Sequence, residues 1–129
     1  MGSKNKGTRA ERELLHMFYD TKIWACFRAA GSGSFAIPCP DLIAGNSSRV
    51  LAIECKALKE KTKYFDKQEI KDLEDFANKF GAEPWLAIRF DNVGWFFVKS
   101  DQLDKTNKNP SISLEKAKKE GLSFENLIK

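Results

Sequence analysis

The stretch PDLIAGNSSRVLAIECK, residues 40–56, constrains the fold more than any other part of the sequence. It contains two apolar runs with the composition of β-strands, separated by a turn signal at residues 45–48. Charged residues stand at or within these runs. Asp41 opens the first run, and Glu54 and Lys56 lie in the second. Charged side chains are rarely buried unless they are paired or bound to another group. Their placement therefore predicts a paired network or a binding site.

The period of a β-strand places Glu54 and Lys56 on one face, because residues two apart project to the same side. The intervening residues are apolar and are predicted to face the core: Leu51, Ile53 and Cys55. If the two strands pair antiparallel, Asp41 lies near the Lys56 end. The three charged groups then converge at one edge of the sheet.

Two carboxylates without a histidine form a hard oxygen site, which suits Mg²⁺ or Mn²⁺ better than zinc. A neighbouring lysine is able to orient an attacking water and to offset charge that develops on phosphorus, so the set is sufficient for phosphodiester hydrolysis. The alternative is a surface ion pair of Lys56 with Glu54 or Asp41, worth under about 1 kcal/mol. For one pair alone we favour the ion pair; for the set of three we favour the site.

Bulk properties fit a single domain over residues 1–129, with 42% hydrophobic residues. No apolar run is long enough to span a membrane, and the first residues lack the apolar core of a secretory signal. The net charge of +4 is consistent with a polyanionic partner and equally with a soluble surface. Three cysteines without a CxxC pair suit a reducing compartment, so we expect a cytoplasmic protein.

The predicted element order is α-β-β-β-α-β-β with a helical tail, which indicates an α/β fold with a central mixed β-sheet flanked by helices. Lys59–Tyr64 is predicted to be a basic loop, and Gly81 to end the second helix. The predicted helices cover residues 8–20, 66–80 and 113–120, and the predicted strands cover residues 23–28, 41–44, 49–56, 85–90 and 95–99.

Glu11 has two compatible interpretations. Thr8 and Glu11 fit a capping box, in which the glutamate needs no further role. Glu11 also shares a helix face with Leu15 and Phe18, so that it points inward at the start of the helix. A first-turn acid in that position is able to hold a metal-bound water. From the residues alone, the capping role is slightly favoured.

Asp41, Glu54 and Lys56 follow the spacing of the PD-(D/E)XK nucleases, with Pro40 supplying the proline. The wider context resembles the archaeal Holliday-junction resolvases over about residues 5–100. That resemblance rests on the segments Ala10-Glu11-Arg12-Glu13-Leu14, Arg28-Ala29-Ala30-Gly31-Ser32, Pro40-Asp41-Leu42-Ile43-Ala44-Gly45-Asn46, Ile53-Glu54-Cys55-Lys56 and Asn92-Val93-Gly94-Trp95.

The resemblance implies a restriction-endonuclease-like nuclease fold and a homodimeric, Mg²⁺-dependent endonuclease that cuts opposed strands of a four-way DNA junction. Mn²⁺ is expected to substitute, and recombination proteins are possible partners. Lys56 would position the water nucleophile. The metal ligands implied are Glu11, Asp41, Glu54 and the backbone carbonyl of Cys55. The residues implied to contact phosphates are Arg12, Arg28 and Ser32.

A homodimer needs an apolar patch beyond the core of each subunit, and Phe76 and Phe80 are the candidates. They lie one turn apart on the second predicted helix, and aromatic anchors are enriched at interfaces. The alternative is that both rings pack the helix onto the sheet.

Two other functions compete with the resolvase interpretation. One is a sequence-specific restriction endonuclease of the same fold, which would cut plain duplex DNA. The other is a basic, non-catalytic nucleic-acid-binding domain in which Asp41, Glu54 and Lys56 form a structural ion network.

Overall fold

The computed structural model describes residues 2–29 and 37–129. The helices are α1 (Gly2–Asp20), α2 (Lys67–Phe80), α3 (Leu114–Glu120) and α4 (Phe124–Leu127), with a 3₁₀ turn at Ser100–Gln102. The strands are β1 (Ala25–Arg28), β2 (Leu42–Gly45), β3 (Val50–Leu58), β4 (Thr62–Tyr64), β5 (Glu83–Phe90), β6 (Gly94–Val98) and β7 (Ser111–Ser113).

The main sheet has five strands in the order β1-β2-β3-β5-β6. The β3–β5 pair is parallel and is connected through α2, whereas the other neighbours are antiparallel. This mixed sheet with flanking helices confirms the predicted fold class. Among the described residues, no helix combines the length and the apolar character needed to cross a bilayer.

The sheet buries an apolar layer on each face. On one face Leu14 and Phe18 of α1 are fully buried and pack in one cluster with Leu51 and Ile53 of β3. On the other face, the α2 residues Ile70, Leu73 and Ala77 pack in a cluster with Ala52 and Leu58 of β3. The parity of β3 is therefore as predicted. Glu54 and Lys56, in register with Ala52 and Leu58, lie on the α2 side.

Helix α2 begins and ends where its sequence predicts. The Asp66 side chain accepts a hydrogen bond from the Gln68 N–H at 3.1 Å and caps the helix. Gly81 follows in the left-handed conformation, with φ of 83°, and its N–H donates to the Ala77 carbonyl. Glycine adopts that conformation without the steric conflict that a Cβ introduces, which explains its position at the helix end.

Two predictions about local structure were wrong. Helix α1 begins at Gly2 and not at Thr8, so Thr8 is an interior residue and forms no capping box with Glu11. A single interior glycine, Gly7, costs only about 1 kcal/mol and does not end the helix. The salt bridge of Lys6 Nζ to Asp91 Oδ2, at 2.7 Å, stabilises the extension through a contact remote in sequence.

The predicted loop Lys59–Tyr64 is partly a strand. Its second half is β4, which pairs antiparallel with β7 in a separate two-stranded sheet. This pairing joins Thr62 to Ser113, so local sequence patterns gave no indication of it.

Candidate active site

Asp41 lies at the entrance to β2 and is held there by the neighbouring strand. Its N–H donates to the Ile53 carbonyl at 3.0 Å, and its carboxylate Oδ2 accepts from the Cys55 N–H at 2.8 Å. The register pairs Leu42 with Ile53, which sets Asp41 beside Glu54 in the adjacent strand. The predicted antiparallel pairing is thereby confirmed, together with the closeness of Asp41 to the Glu54–Lys56 end.

Asp41 and Glu54, called the acidic pair below, are both disfavoured in their charged forms. Burial raises the pKa of Glu54 to about 8, with a further contribution from the Asp41 charge. Burial also raises the pKa of Asp41 to about 6, although the Cys55 N–H opposes the rise. Two carboxylates in this state form a place where positive charge is strongly stabilised.

The Lys56 ammonium lies between two carboxylates. It contacts the Glu69 carboxylate of α2 in a short salt bridge, and Glu54 Oε2 lies farther away, at 3.9 Å. Glu69 was not identified from the sequence as a site residue. The available signal was its place in the first turn of α2 after the Asp66 cap, but only the packing of α2 on the sheet brings it to Lys56.

A small cavity opens beside the acidic pair, with a volume of about 200 Å³. Prolines on either side of Cys39 stiffen the segment that forms one wall, since proline fixes its own φ. The cavity is large enough for several water molecules or for part of a phosphodiester. Its lining residues are Pro38, Cys39, Pro40, Asp41, Glu54, Glu69, Asp72 and Leu73.

Glu11 is oriented by an arginine and not by a cap. Arg28 Nε donates to Glu11 Oε1 at 2.7 Å, and both side chains are largely buried. The Glu11 charge is close enough to contribute to the raised pKa of Asp41 and of Glu54. The structure therefore places Glu11 near the acidic pair, on the α1 side.

The basic residues predicted to contact phosphates are dispersed. Arg12 is exposed on α1 and lines a groove of about 870 Å³, whereas Arg28 is paired with Glu11. Ser32 lies outside the described residues. The groove also carries four cations that the resemblance did not indicate: Lys6, Arg9, Lys59 and Arg89.

The two candidate interface residues stack on each other on α2. The rings of Phe76 and Phe80 have centroids 5.2 Å apart and an angle of 18° between their planes. Phe76 is partly buried against the α2-side core, but Phe80 remains 54% exposed. Packing onto the sheet therefore accounts for Phe76 and leaves Phe80 without that role.

The donor set fits a hard divalent cation in its chemistry. Within residues 2–29 and 37–129, no group of three or more His, Cys, Asp or Glu side chains is arranged to hold a metal ion. Mg²⁺ needs only one or two carboxylates beside waters and substrate oxygens, and the acidic pair supplies two. Burial raises the pKa of the Cys55 thiol well above its usual value, which disfavours a thiolate ligand at this position.

Comparison with known proteins identifies the family. The model of the family described as archaeal Holliday junction resolvase (hjc) matches residues 2–129. The chain belongs to the archaeal Holliday-junction resolvase family. The crossover junction endodeoxyribonuclease Hjc of Archaeoglobus fulgidus is 42% identical over 113 residues, which cover 84% of this resolvase and 79% of the relative. The Hjc of Methanocaldococcus jannaschii is 35% identical over 123 residues, covering 95% and 86% of the two chains.

A solved structure gives the same result for the fold of the resolvase. The 1.6 Å structure of Archaeoglobus fulgidus Hjc, a Holliday junction resolvase, superposes with a TM-score of 0.87 at 36% sequence identity. The match covers 95% of this chain and all of that one. The predicted restriction-endonuclease-like fold and the assignment as a Holliday-junction endonuclease are confirmed.

Proposed function

We propose that this resolvase cuts two opposed strands of a four-way DNA junction by divalent-metal-dependent phosphodiester hydrolysis, with Mg²⁺ as the metal and Mn²⁺ able to replace it. The observation that carries the proposal is the acidic pair, with Lys56 beside it and a cavity in front of it. Carboxylates whose charged forms are disfavoured by burial and by each other become favourable once a cation neutralises them.

We propose that Asp41, Glu54 and the carbonyl of Cys55 would bind the metal, with Glu11 completing the site. When bound, the ion supplies Lewis acidity toward the phosphoryl oxygens and lowers the pKa of a bound water. The Cys55 N–H fixes one oxygen of Asp41, and β3 fixes the direction of Glu54. The carboxylate oxygens proposed as ligands are thereby held in place before metal and DNA bind, so the reaction needs little rearrangement of the protein.

Lys56 is proposed to position the attacking water and to stabilise charge on the scissile phosphate. Its ammonium retains a positive charge, because hydrogen bonding and charge from Glu69 raise its pKa against the opposing effect of burial. A partly buried ammonium with three donors is suited to hold a water and a phosphate oxygen at once.

DNA contacts are proposed for Arg12, Arg28 and Ser32, with the basic groove along α1 receiving a phosphate backbone. Arg28 is already held by Glu11, so its remaining guanidinium nitrogens are the ones left to meet a phosphate. Contacts to phosphates depend on the shape of the DNA backbone and not on its base sequence, and a junction is recognised by its shape. The groove lies between α1 and the ends of β3 and β5.

The resolvase is proposed to act as a homodimer that contacts its second copy through Phe76 and Phe80. A four-way junction has approximate two-fold symmetry, and a two-fold dimer presents two equivalent sites related by the same operation. The exposed ring of Phe80 offers an anchor on α2. We further propose a cytoplasmic location, given three free cysteines, and action beside other recombination proteins.

The experiment compares a synthetic four-way junction with linear duplexes of the same arms, in Mg²⁺, in Mn²⁺ and in chelator. Paired symmetric cuts in the junction alone are expected, and only with metal. Asp41→Asn and Glu54→Gln should each abolish cutting and leave junction binding in chelator within about twofold, since each removes a metal ligand and no phosphate contact.

The matched control is Asp75→Asn, which removes an exposed acid from α2, and it should cut normally. Cutting of the linear arms would favour a restriction-type enzyme. Junction binding without cutting in any metal would favour a non-catalytic binding domain. Near wild-type cutting by Asp41→Asn or Glu54→Gln would refute the metal assignment.

A further inference from the structure

The environment of Lys56 contains an acid that the resolvase mechanism above does not use. Glu69 forms the close salt bridge with the Lys56 ammonium, whereas Glu54, a proposed metal ligand, lies 3.9 Å from it. The Lys56 and Glu69 side chains are only 24% and 25% exposed. By contrast, the Lys71–Asp75 pair on the same helix has side chains 66% and 54% exposed.

The backbone at Glu69 is fixed independently of Lys56. Asp66 caps α2, and Ile70 and Leu73 bury one side of the helix against the sheet. Glu69, next to Ile70 in the first helical turn, is thereby directed toward β3. An acid in the first turn also interacts favourably with the positive end of the helix dipole. The helix therefore holds the backbone of Glu69 beside β3 without any contribution from the lysine.

Without Glu69, the flexible lysine would have another acceptor close by. Glu54 Oε2 is already within 4 Å, and in a buried site an unpaired ammonium moves to the nearest carboxylate. That movement would draw the ammonium onto the acidic pair and occupy a carboxylate proposed to bind metal. A single displaced group of this kind costs far more in rate than in binding.

We propose that Glu69 is a positioning residue of the resolvase, which holds the Lys56 ammonium in a salt bridge at the cavity wall and out of direct contact with Glu54. This rests on the function proposed above. The direct salt bridge of Glu69 is with Lys56, so we expect Glu69 to contribute to the chemical step and not to junction affinity. It is distinct from the residues that the family resemblance implied.

The test is Glu69→Gln, which keeps the shape of the side chain and removes its charge. We expect the single-turnover rate at saturating protein in Mg²⁺ to fall by about a hundredfold, as for a catalytic group displaced by about 1 Å. Junction affinity in chelator should stay within about twofold of wild type, because phosphate contacts are unchanged. Glu69→Asp should recover most of the rate, and Asp75→Asn should cut normally.

Two further measurements separate positioning from simple stabilisation. In the background of Lys56→Met, Glu69→Gln should produce no additional loss of rate, because residues that act as a unit are not additive. In chelator, the Lys56 ammonium should give a slowly exchanging ¹H–¹⁵N NMR signal in the wild type and in Asp75→Asn, and the signal should vanish in Glu69→Gln.

The positioning role is overturned if Glu69→Gln cuts at the wild-type rate, if the additional loss appears without Lys56, or if the ammonium signal persists. Circular dichroism at the assay temperature confirms that each variant is folded. The proposed function fails separately, through cutting by Asp41→Asn. An inactive Asp41→Asn beside a fully active Glu69→Gln refutes only the role of Glu69.

Discussion

Replacing Glu54 by glutamine should stabilise the metal-free resolvase at alkaline pH. Glu54 has its pKa raised from 4.5 to about 8 in the folded chain, first by burial and then by the charge of Asp41. A raised carboxyl pKa means that the folded state binds more protons than the unfolded state between these two values. The contribution of Glu54 to the stability of the fold is therefore fully present below about pH 4.5 and is lost as the pH rises through about 8.

The size of the effect follows from the same shift. At 1.36 kcal/mol per pKa unit, a rise from 4.5 to about 8 lowers the free energy of unfolding by about 4 to 5 kcal/mol once Glu54 is fully ionised in the folded chain. The Glu54→Gln variant avoids that penalty but leaves a partly buried amide, which costs about 1–3 kcal/mol if it is unpaired. A net gain of about 2 kcal/mol remains, equivalent to roughly 6 °C in Tm for a chain of this length.

The assay is thermal unfolding in chelator at pH 5 and pH 8.5, repeated with Mg²⁺. The variant should be several degrees more stable than wild type at pH 8.5 and slightly less stable at pH 5, where Glu54 is protonated and only the cost of the amide remains. Mg²⁺ should reverse the order at pH 8.5, because a ligand that binds only the folded wild type raises its stability by mass action. Asp75→Asn serves as the control for loss of one acid. A Glu54→Gln variant that is less stable in chelator at pH 8.5 would refute the reasoning.

Two other predictions concern stability and assembly. Arg49→Ala should lower the free energy of unfolding in urea by about 2 kcal/mol, because Arg49 donates two hydrogen bonds of 2.8 Å to the Glu83 carboxylate and another to the Leu127 carbonyl. An unchanged urea midpoint would argue against that role. The double variant Phe76→Ala, Phe80→Ala should raise the dissociation constant of the proposed dimer, measured by analytical ultracentrifugation, because the interface loses its two stacked rings. A variant that stays dimeric at nanomolar concentration would show that neither ring belongs to the interface.

Sequence patterns predicted the features of this fold that depend on local rules. Strand parity separated Glu54 and Lys56 from the apolar side of β3, and the structure has the same division. Gly81 ends α2 as predicted, and the helix begins one residue after its predicted first residue, Asp66, which caps it. The same parity and the antiparallel β2–β3 pairing were enough to bring the acidic pair and Lys56 together.

The features that were missed depend on contacts between distant segments. The pairing of β4 with β7 joins segments about fifty residues apart, and neither strand is longer than three residues. The salt bridge of Lys6 to Asp91 extends α1 beyond its predicted start. Glu69 reaches Lys56 only because α2 lies on the sheet at a particular rotation. In each case the sequence provides the partners, and the tertiary packing decides whether they meet.

The ion pairs around the site bear on the divalent cation proposed to bind there. Glu11 is neutralised by Arg28, and Glu69 by Lys56, so each of these acids has a cationic partner of its own. Lys56 remains 3.9 Å from Glu54, so burial raises the pKa of both members of the acidic pair, and the Asp41 charge adds to the rise at Glu54. In such a site, negative charge on the pair is relieved either by protons or by a metal ion. Metal binding should therefore release protons near neutral pH, and the flanking salt bridges keep the two positive side chains from taking the place of the ion.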